Sequence, residues 1–105
     1  MQKGLSGLMQ NSCCDFNDFM KAIADETRQN ILALLKDGEM SVGELAEHFN
    51  LAQPTMSHHL TMLRRVKLVS SRRAGQHIFY RSNLACVVEC YQELATRFKI
   101  SEKNN

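Results

Sequence analysis

Four cysteines carry the most distinctive side-chain chemistry of this 105-residue sequence. Cys13 and Cys14 are adjacent, whereas Cys86 and Cys90 are four positions apart and can share a ligand on one helix face. Thiolates select soft or thiophilic species, so these pairs indicate a trivalent arsenical, a thiophilic metal or an oxidant. A zinc finger does not fit, because the vicinal pair and the C-x-x-x-C lie about seventy residues apart.

A purely structural role for the cysteines stays open, because unliganded Cys is among the most frequently buried residue types. A structural zinc site is a third interpretation. Burial suits Cys90 better than Cys86, since on a helical wheel Cys86 falls beside Glu93 and Arg97, away from the apolar stripe. We therefore expect Cys86 to lie off the core.

The adjacent histidines His58 and His59 do not predict a metal site, because neighbouring helical residues point about 100° apart. We expect His58 to face outward and His59 to form a packed, hydrogen-bonded ring. Arg28 is expected in a structural ion pair with Asp25, Glu26 or another acid, and not in a contact with a partner.

Charge is distributed unevenly along the chain. The stretch from Gln53 to Ser82 contains no Asp or Glu. Its basic residues are Arg64, Arg65, Lys67, Arg72, Arg73 and Arg81. These give +6, whereas the whole chain is +2 (13 basic minus 11 acidic), so the remainder sums to −4. A local surface of one sign in a nearly neutral protein indicates a polyanionic partner.

The acid-free stretch coincides with a pattern that predicts a helix-turn-helix. The first helix opens with Ser41 and carries Glu44 three residues later, which is the capping-box pattern. Asn50 can end this helix, because Asn tolerates the left-handed conformation of many helix exits. After a short turn, Pro54 suits the first position of a second helix.

The second helix has an apolar and a polar side. Met56, Leu60 and Leu63 recur at helical spacing and should face inward. The residues left facing outward are Thr55, Ser57, His58, Thr61 and Arg65. Short polar side chains and His can contact base edges in the major groove of DNA, so this helix is typical of a recognition helix.

Two strand-like runs follow, at residues 68–71 and 76–81, around the turn sequence Arg72-Arg73-Ala74-Gly75. They predict a β-hairpin wing. The expected fold is therefore mainly α with a small β-hairpin, a winged helix-turn-helix of five helices and a two-stranded wing. The predicted DNA-binding residues are Gln53, Thr55, Ser57, His58, Thr61, Arg65, Arg72, Arg73 and Gln76.

The predicted first helix, residues 15–23, and last helix, residues 83–99, both have more apolar surface than a small domain can cover. Each could pack inside one subunit, but a homodimer through these two helices explains both. The residues predicted for the dimer interface are Phe16, Phe19, Met20, Val87, Tyr91, Leu94 and Phe98.

These residues resemble a known family. The segments ADETRQNIL, SHHL and G-x-x-I-F-Y-R look like those of the ArsR/SmtB winged-helix repressors, and AEHF followed by SHHL is similar to the SdpR-type autorepressor branch. The resemblance covers about residues 16–98. It implies a homodimer that binds an inverted-repeat operator and blocks transcription. It also implies that Gln53, Thr55, Ser57 and His58 approach bases, and that the wing arginines approach the flanking backbone or minor groove.

The sequence departs from the family at both of its well-known effector sites. The C-x-C of one site is replaced by Ser41-Val42-Gly43, and the Asp and His ligands of the other are absent from residues 83–99. A thiol-reactive inducer at Cys13, Cys14, Cys86 and Cys90 and an autorepressor without any small-molecule effector therefore both stay open. No cofactor is expected to be required.

Length and composition predict a single domain at residues 13–100, with flexible ends at 1–12 and 101–105. No apolar run is long enough for a membrane span, and the first twelve residues lack the apolar core of a secretory signal, so we expect a cytoplasmic protein with no membrane partner. Catalytic motifs such as G-x-S-x-G and H-E-x-x-H are absent, so an enzyme is not expected. The competing classes are a winged helix used for protein–protein contact and a thiol-based metal buffer.

Overall fold

The computed structural model describes residues 15–98 as five helices and one small sheet. The helices are α1 (Phe16–Ala22), α2 (Glu26–Leu35), α3 (Val42–Phe49), α4 (Gln53–Arg65) and α5 (Leu84–Arg97). The strands are β1 (Met40–Ser41), β2 (Val69–Ala74) and β3 (His77–Ser82). The ends predicted to be flexible, at 1–12 and 101–105, lie outside the described residues, as do Cys13 and Cys14.

The predicted winged helix-turn-helix is confirmed, but the sheet has three strands where two were predicted. β1 pairs antiparallel with β3, with Met40 opposite Tyr80 and Ser41 opposite Phe79, so the strand order is β1-β3-β2. A strand of two residues is too short to show the alternating pattern that identifies strands in a sequence. It forms here because β3 offers an unpaired edge.

The wing hairpin is longer than predicted. β2 and β3 pair along their whole length and leave a loop of only Gly75 and Gln76. Gly75 has a φ of 64°, in the region that tight hairpin turns require and that Gly adopts at no steric cost. Arg72 and Arg73 therefore lie inside β2 and not in the turn, contrary to prediction.

Local capping interactions fix the ends of the helix-turn-helix helices. Ser41 Oγ accepts a hydrogen bond from the Glu44 backbone N–H at 3.1 Å, and Glu44 Oε1 accepts one from the Ser41 N–H at 2.9 Å, as the capping box predicts. Asn50 ends α3 in the left-handed conformation, with φ 56° and ψ 46°. Pro54 occupies the second position of α4, one later than predicted, because the helix already begins at Gln53.

The core lies between the helices and the inner face of the sheet. From α4, Met56, Leu60 and Leu63 are fully buried, as predicted. The other fully buried large side chains are Ile31, Leu35, Leu45, Leu68, Val69 and Cys90. Phe19, predicted for a dimer contact, is only 4% exposed and packs in this core.

Cys86 also belongs to the core, contrary to prediction. Cys86 and Cys90 are 3% and 0% exposed, so α5 turns its cysteine side inward. The apolar side chains on its outer surface are Leu84, Val88, Tyr91 and Phe98, which are 47%, 48%, 65% and 67% exposed. A helical wheel locates the apolar stripe, but it cannot show which side of the helix docks on the rest of the chain.

Candidate nucleic-acid interface

Every residue predicted to contact DNA is exposed. Six of them lie on α4, two on β2 and one in the wing loop. Those on α4 are Gln53, Thr55, Ser57, His58, Thr61 and Arg65. The opposite side of the helix contains the fully buried Met56, Leu60 and Leu63. The structure thus gives α4 one anchored face and one polar face directed to solvent.

The connections at both ends of α4 are tightly folded. At its start, the Leu51 N–H donates to the Ala46 carbonyl at 2.9 Å, which closes the turn after α3. At its end, Lys67 adopts a φ of 66° and the Leu68 N–H donates to the Leu63 carbonyl at 3.0 Å. This αL exit satisfies helix carbonyls that would otherwise lack donors and directs the chain into β2.

The charge of α4 is suited to an anionic partner along its whole length. Its first turn contains no acidic side chain, and Ala52 at the N-cap makes no side-chain capping bond. The partial positive charge of the helix start is therefore not neutralised. Arg64 and Arg65 lie in the last turn. Arg65 also lines a small groove of about 210 Å³ beside α1, together with Asp18 and Met62.

His59 forms the packed ring that was predicted. Its side chain is 14% exposed and lies 3.9 Å from Asp25 Oδ2. Arg28 Nη1 is 3.4 Å from His59 Nδ1, and because a guanidinium can only donate, Nδ1 must act as the acceptor. Burial lowers the pKa of His59 below its ordinary value of 6.5; Asp25 opposes this shift, while Arg28 and His58 add to it.

The ion pair predicted for Arg28 is replaced by bonds to the backbone. Its Nε donates to the Ala22 carbonyl at 2.6 Å, and its Nη2 donates to the Lys21 carbonyl at 3.4 Å. These carbonyls belong to the last turn of α1, where backbone acceptors lack partners within the helix. Arg28 therefore has the predicted structural role, but it connects α1 to α4 through carbonyls and His59.

Glu39, which is not among the predicted site residues, pairs with Arg72 of the wing. Arg72 Nη2 lies 2.6 Å from Glu39 Oε2, and Arg72 Nε lies 3.1 Å from both carboxylate oxygens. The hydrogen bond from Arg72 lowers the pKa of Glu39, and the same bond raises the pKa of Arg72. Glu39 lies outside the acid-free stretch, so only the pairing of β1 with β3 brings it to the wing.

The strand register separates Arg72 and Arg73, the two arginines of β2. Arg72 is opposite Phe79 and Arg73 is opposite Ile78. Since successive side chains of a strand point to opposite faces, the two arginines lie on different sides of the sheet. A run of basic residues in the sequence therefore does not correspond to a single basic surface in the fold.

The residues predicted for the dimer interface divide into two groups. Phe16, Val87 and Leu94 are half-buried and Phe19 is buried within one chain, whereas Met20, Tyr91 and Phe98 are exposed. The guanidinium of Arg97 lies 4.3 Å from the Phe16 ring centroid, so α1 and α5 already pack together within one subunit. Leu84 and Val88 extend the exposed apolar surface.

Within residues 15–98, no three His, Cys, Asp or Glu side chains are grouped as they would be to bind a metal ion. Of the predicted thiol site, only Cys86 and Cys90 can be described, and both are buried. In the same part of the chain, no helix has the length and apolar character that crossing a membrane demands.

The anchored α4 with its exposed polar face, followed by a basic hairpin, defines a winged helix-turn-helix DNA-binding protein. Residues 25–71 match the model of the bacterial regulatory proteins of the arsR family. The chain is 49% identical over 67 residues to the transcriptional repressor SdpR of Bacillus subtilis (strain 168), which covers 64% of this chain and 74% of that protein. The chain belongs to the ArsR family.

Two further comparisons agree with this assignment. The chain is 36% identical over 80 residues to the arsenical resistance operon repressor of Staphylococcus aureus, covering 76% of this chain and 77% of that protein. A crystal structure of a possible transcriptional regulator for arsenical resistance has a TM-score of 0.71 at 32% identity, covering 81% and 88% of the two chains. The family consists of transcriptional regulators, which confirms a regulator of transcription and not an enzyme.

Proposed function

We propose that the protein is a homodimeric repressor that binds an inverted-repeat operator in the cytoplasm, where the bacterial chromosome lies. The observation that carries the proposal is the exposed polar face of α4, opposite three fully buried side chains and within an acid-free stretch of sequence. A protein–protein module would not need such a depletion of acids, whereas a DNA duplex repels them. Repression is supported by two relatives that are named as repressors, SdpR and the arsenical resistance operon repressor.

Base recognition is assigned to the exposed residues of the first two turns of α4. Gln53, Thr55, Ser57 and His58 combine donors and acceptors with short or compact side chains. Thr61 continues the same surface, and Arg65 lies at its far end, where phosphate contact is more suitable than base contact. Gln76 in the wing loop is assigned to the flanking DNA.

The experiment compares binding to two duplexes, one selected by the wild-type protein from a random pool and one with scrambled sequence. We expect Ser57→Ala and His58→Ala each to weaken binding to the selected duplex by about 1–3 kcal/mol per lost base contact, with one such contact in each half-site, and to change binding to the scrambled duplex little. Asn30→Ala, a change at an exposed polar position on α2, serves as the control and should alter the affinity for neither duplex. Equal losses on both duplexes would show that the groove-facing side of α4 is wrongly assigned.

Salt dependence tests the DNA-binding function itself. A protein that neutralises phosphates releases condensed counterions, so its affinity must fall steeply as salt rises. If the affinity of the wild-type chain for DNA is the same at low and high salt, the proposal is overturned and a protein–protein module is favoured.

A second proposal concerns the effector. Cys86 and Cys90 lie one helical turn apart on the buried side of α5, whose other side is apolar and exposed. A thiol-reactive inducer, such as a trivalent arsenical or an oxidant, would have to displace α5 from the core to reach them. The relatives that are named for arsenical resistance support a metalloid among the candidates. Cys13 and Cys14 are the further thiols that the sequence offers.

The thiol proposal is tested by adding arsenite, zinc or peroxide, in parallel, to the reduced protein on its selected duplex. We expect at least one of them to release the DNA, and expect Cys86→Ala/Cys90→Ala to keep DNA affinity but lose that response. Cys13→Ser/Cys14→Ser separates the contribution of the other pair. Normal release from both double variants would exclude a thiol switch and favour an autorepressor with no small-molecule effector.

A further inference from the structure

We propose that Glu39 limits the sequence-independent DNA affinity of the wing, because its carboxylate pairs with Arg72 and leaves Arg73 as the arginine of β2 that contacts DNA phosphate. This inference rests on the proposed DNA-binding function and adds a division of roles within the wing. Its physical basis is that one carboxylate competes with the duplex for one guanidinium.

The guanidinium of Arg72 is engaged through both of its recognition surfaces. Its N–H fork contacts the Glu39 carboxylate, with the nearest nitrogen–oxygen pair at 2.6 Å. Its flat face lies 4.9 Å from the Phe79 ring centroid. An Arg binds phosphate through the same planar fork that it uses for carboxylate, so a DNA phosphate would have to displace Glu39.

Glu39 stays ionised in this position. The hydrogen bond from Arg72 lowers the pKa of its carboxyl group, and the charges of Arg72 and Arg81 add to that effect. Near a duplex, an ionised carboxylate would also repel phosphate directly. Glu39 and Arg72 line a surface groove together with two other cations, which are partly engaged as well: Lys36 lies 3.3 Å from Asp37, and Arg81 donates to Ser70 Oγ at 3.3 Å.

Arg73 differs from Arg72 in position and in partners. It shares its face of β2 with Val69, which is 2% exposed and packs in the core beneath α4. Arg73 therefore projects on the side of the sheet that also faces the recognition helix. Among the described residues it has no hydrogen bond or ion pair, so its guanidinium is available for phosphate.

The pairing affects the overall affinity for DNA and not the choice of sequence, because phosphate contacts strengthen binding to every sequence alike, whereas base contacts distinguish sequences. With Arg72 engaged by Glu39, strand β2 contributes one strong phosphate contact and not two. The sequence-independent part of the affinity is reduced, so binding to operator and to random DNA is weakened by the same factor.

The test measures the slope of log affinity against log salt concentration for single and double variants. Each phosphate neutralised on a duplex contributes about 0.9 to the magnitude of this slope. Because the proposed dimer carries each substitution twice, we expect Arg73→Gln to reduce the magnitude by about 1.8 and Arg72→Gln to leave it unchanged. We expect Glu39→Gln to increase it by up to about 1.8 and to tighten binding to scrambled duplex several-fold, since Arg72 becomes available.

The double variant Glu39→Gln/Arg72→Gln is the control and should return the slope to its wild-type value. Folding is not at risk, because exposed ion pairs of this kind contribute little to stability. The proposal is overturned if Arg72→Gln reduces the slope as much as Arg73→Gln, or if Glu39→Gln weakens binding. Failure of the DNA-binding function is a different result, since the wild-type chain would then show no slope at all.

Discussion

Two adjacent histidines of α4 occupy different environments, and this difference determines what each can do. His58 is exposed on the polar face, where it can contact DNA. His59 is packed against α2, with Arg28 and Asp25 beside its ring. A positive charge on His59 would deprive Arg28 of its acceptor and bring two cations together, which is consistent with the lowered pKa of the ring.

We expect the stability of the fold to decrease as the pH falls below about 6.5, the ordinary pKa of His. The folded state lowers the pKa of His59, so in this range the unfolded chain binds more protons and is favoured. The contribution of neutral His59 to the free energy of unfolding is fully present above pH 6.5. It is lost as the pH falls from there through the lower pKa that His59 has in the folded state. Urea unfolding between about pH 5.5 and 7.5 measures it.

His59→Gln should flatten this pH dependence, because Gln can still accept from Arg28 but does not titrate. His58→Gln, one residue away and exposed, should leave it unchanged. An equal pH dependence in wild type and His59→Gln would refute the assignment.

At the scale of elements, the helix-turn-helix is stabilised by short-range interactions that the sequence displays directly. The Ser41–Glu44 capping box, Asn50 and Pro54 each act within a few residues of their own position. Their effect on the backbone is therefore predictable without knowledge of the fold.

Ser41→Ala should destabilise the fold by about 1 kcal/mol, since the Glu44 N–H loses its acceptor. The β1–β3 pairing uses backbone groups and is not altered directly. Glu44→Gln should cost less, because Gln can complete the same box. Urea unfolding at neutral pH measures both changes, and a Ser41→Ala variant as stable as wild type would show that the cap contributes nothing.

Elements that depend on distant residues were not predictable in this way. Strand β1, the Glu39–Arg72 pair and the inward side of α5 each require knowledge of which elements pack together. The positions of Cys86 and of the wing arginines were predicted incorrectly for this reason. Periodicity identifies the faces of a helix or strand, but the choice of the buried face is made by the whole fold.

Across residues 15–98, a single chain exposes an apolar surface on α5 and α1. Tyr91 and Phe98 on α5 are about two-thirds exposed, and Val88 and Leu84 are about half exposed, along one side of the helix. Met20 of α1 is 38% exposed. A second copy using the same surface would cover these side chains and would present two recognition helices to one duplex.

Val88→Gln/Tyr91→Gln should therefore shift the protein from dimer to monomer without unfolding it, because both side chains are exposed in the single chain. Sedimentation velocity measures the mass, and circular dichroism measures the fold. The monomer should lose affinity for a paired site and keep only weak binding to a single half-site.

Gln92→Ala, a change at an exposed polar position of the same helix, should remain dimeric and serves as the control. A double variant that keeps the mass of a dimer would place the interface on another surface.

Ser41 has two structural roles, since it belongs to β1 opposite Phe79 of the wing and also caps α3. The hairpin and the helix pair are thus linked at this residue, by strand pairing on one side and by the capping box on the other. In the proposed complex, the distance along the duplex between the bases contacted by α4 and the flanking phosphates contacted by the wing should therefore stay constant. Each subunit would accept only one such spacing. We therefore expect operators to differ in base sequence more readily than in the spacing within a half-site.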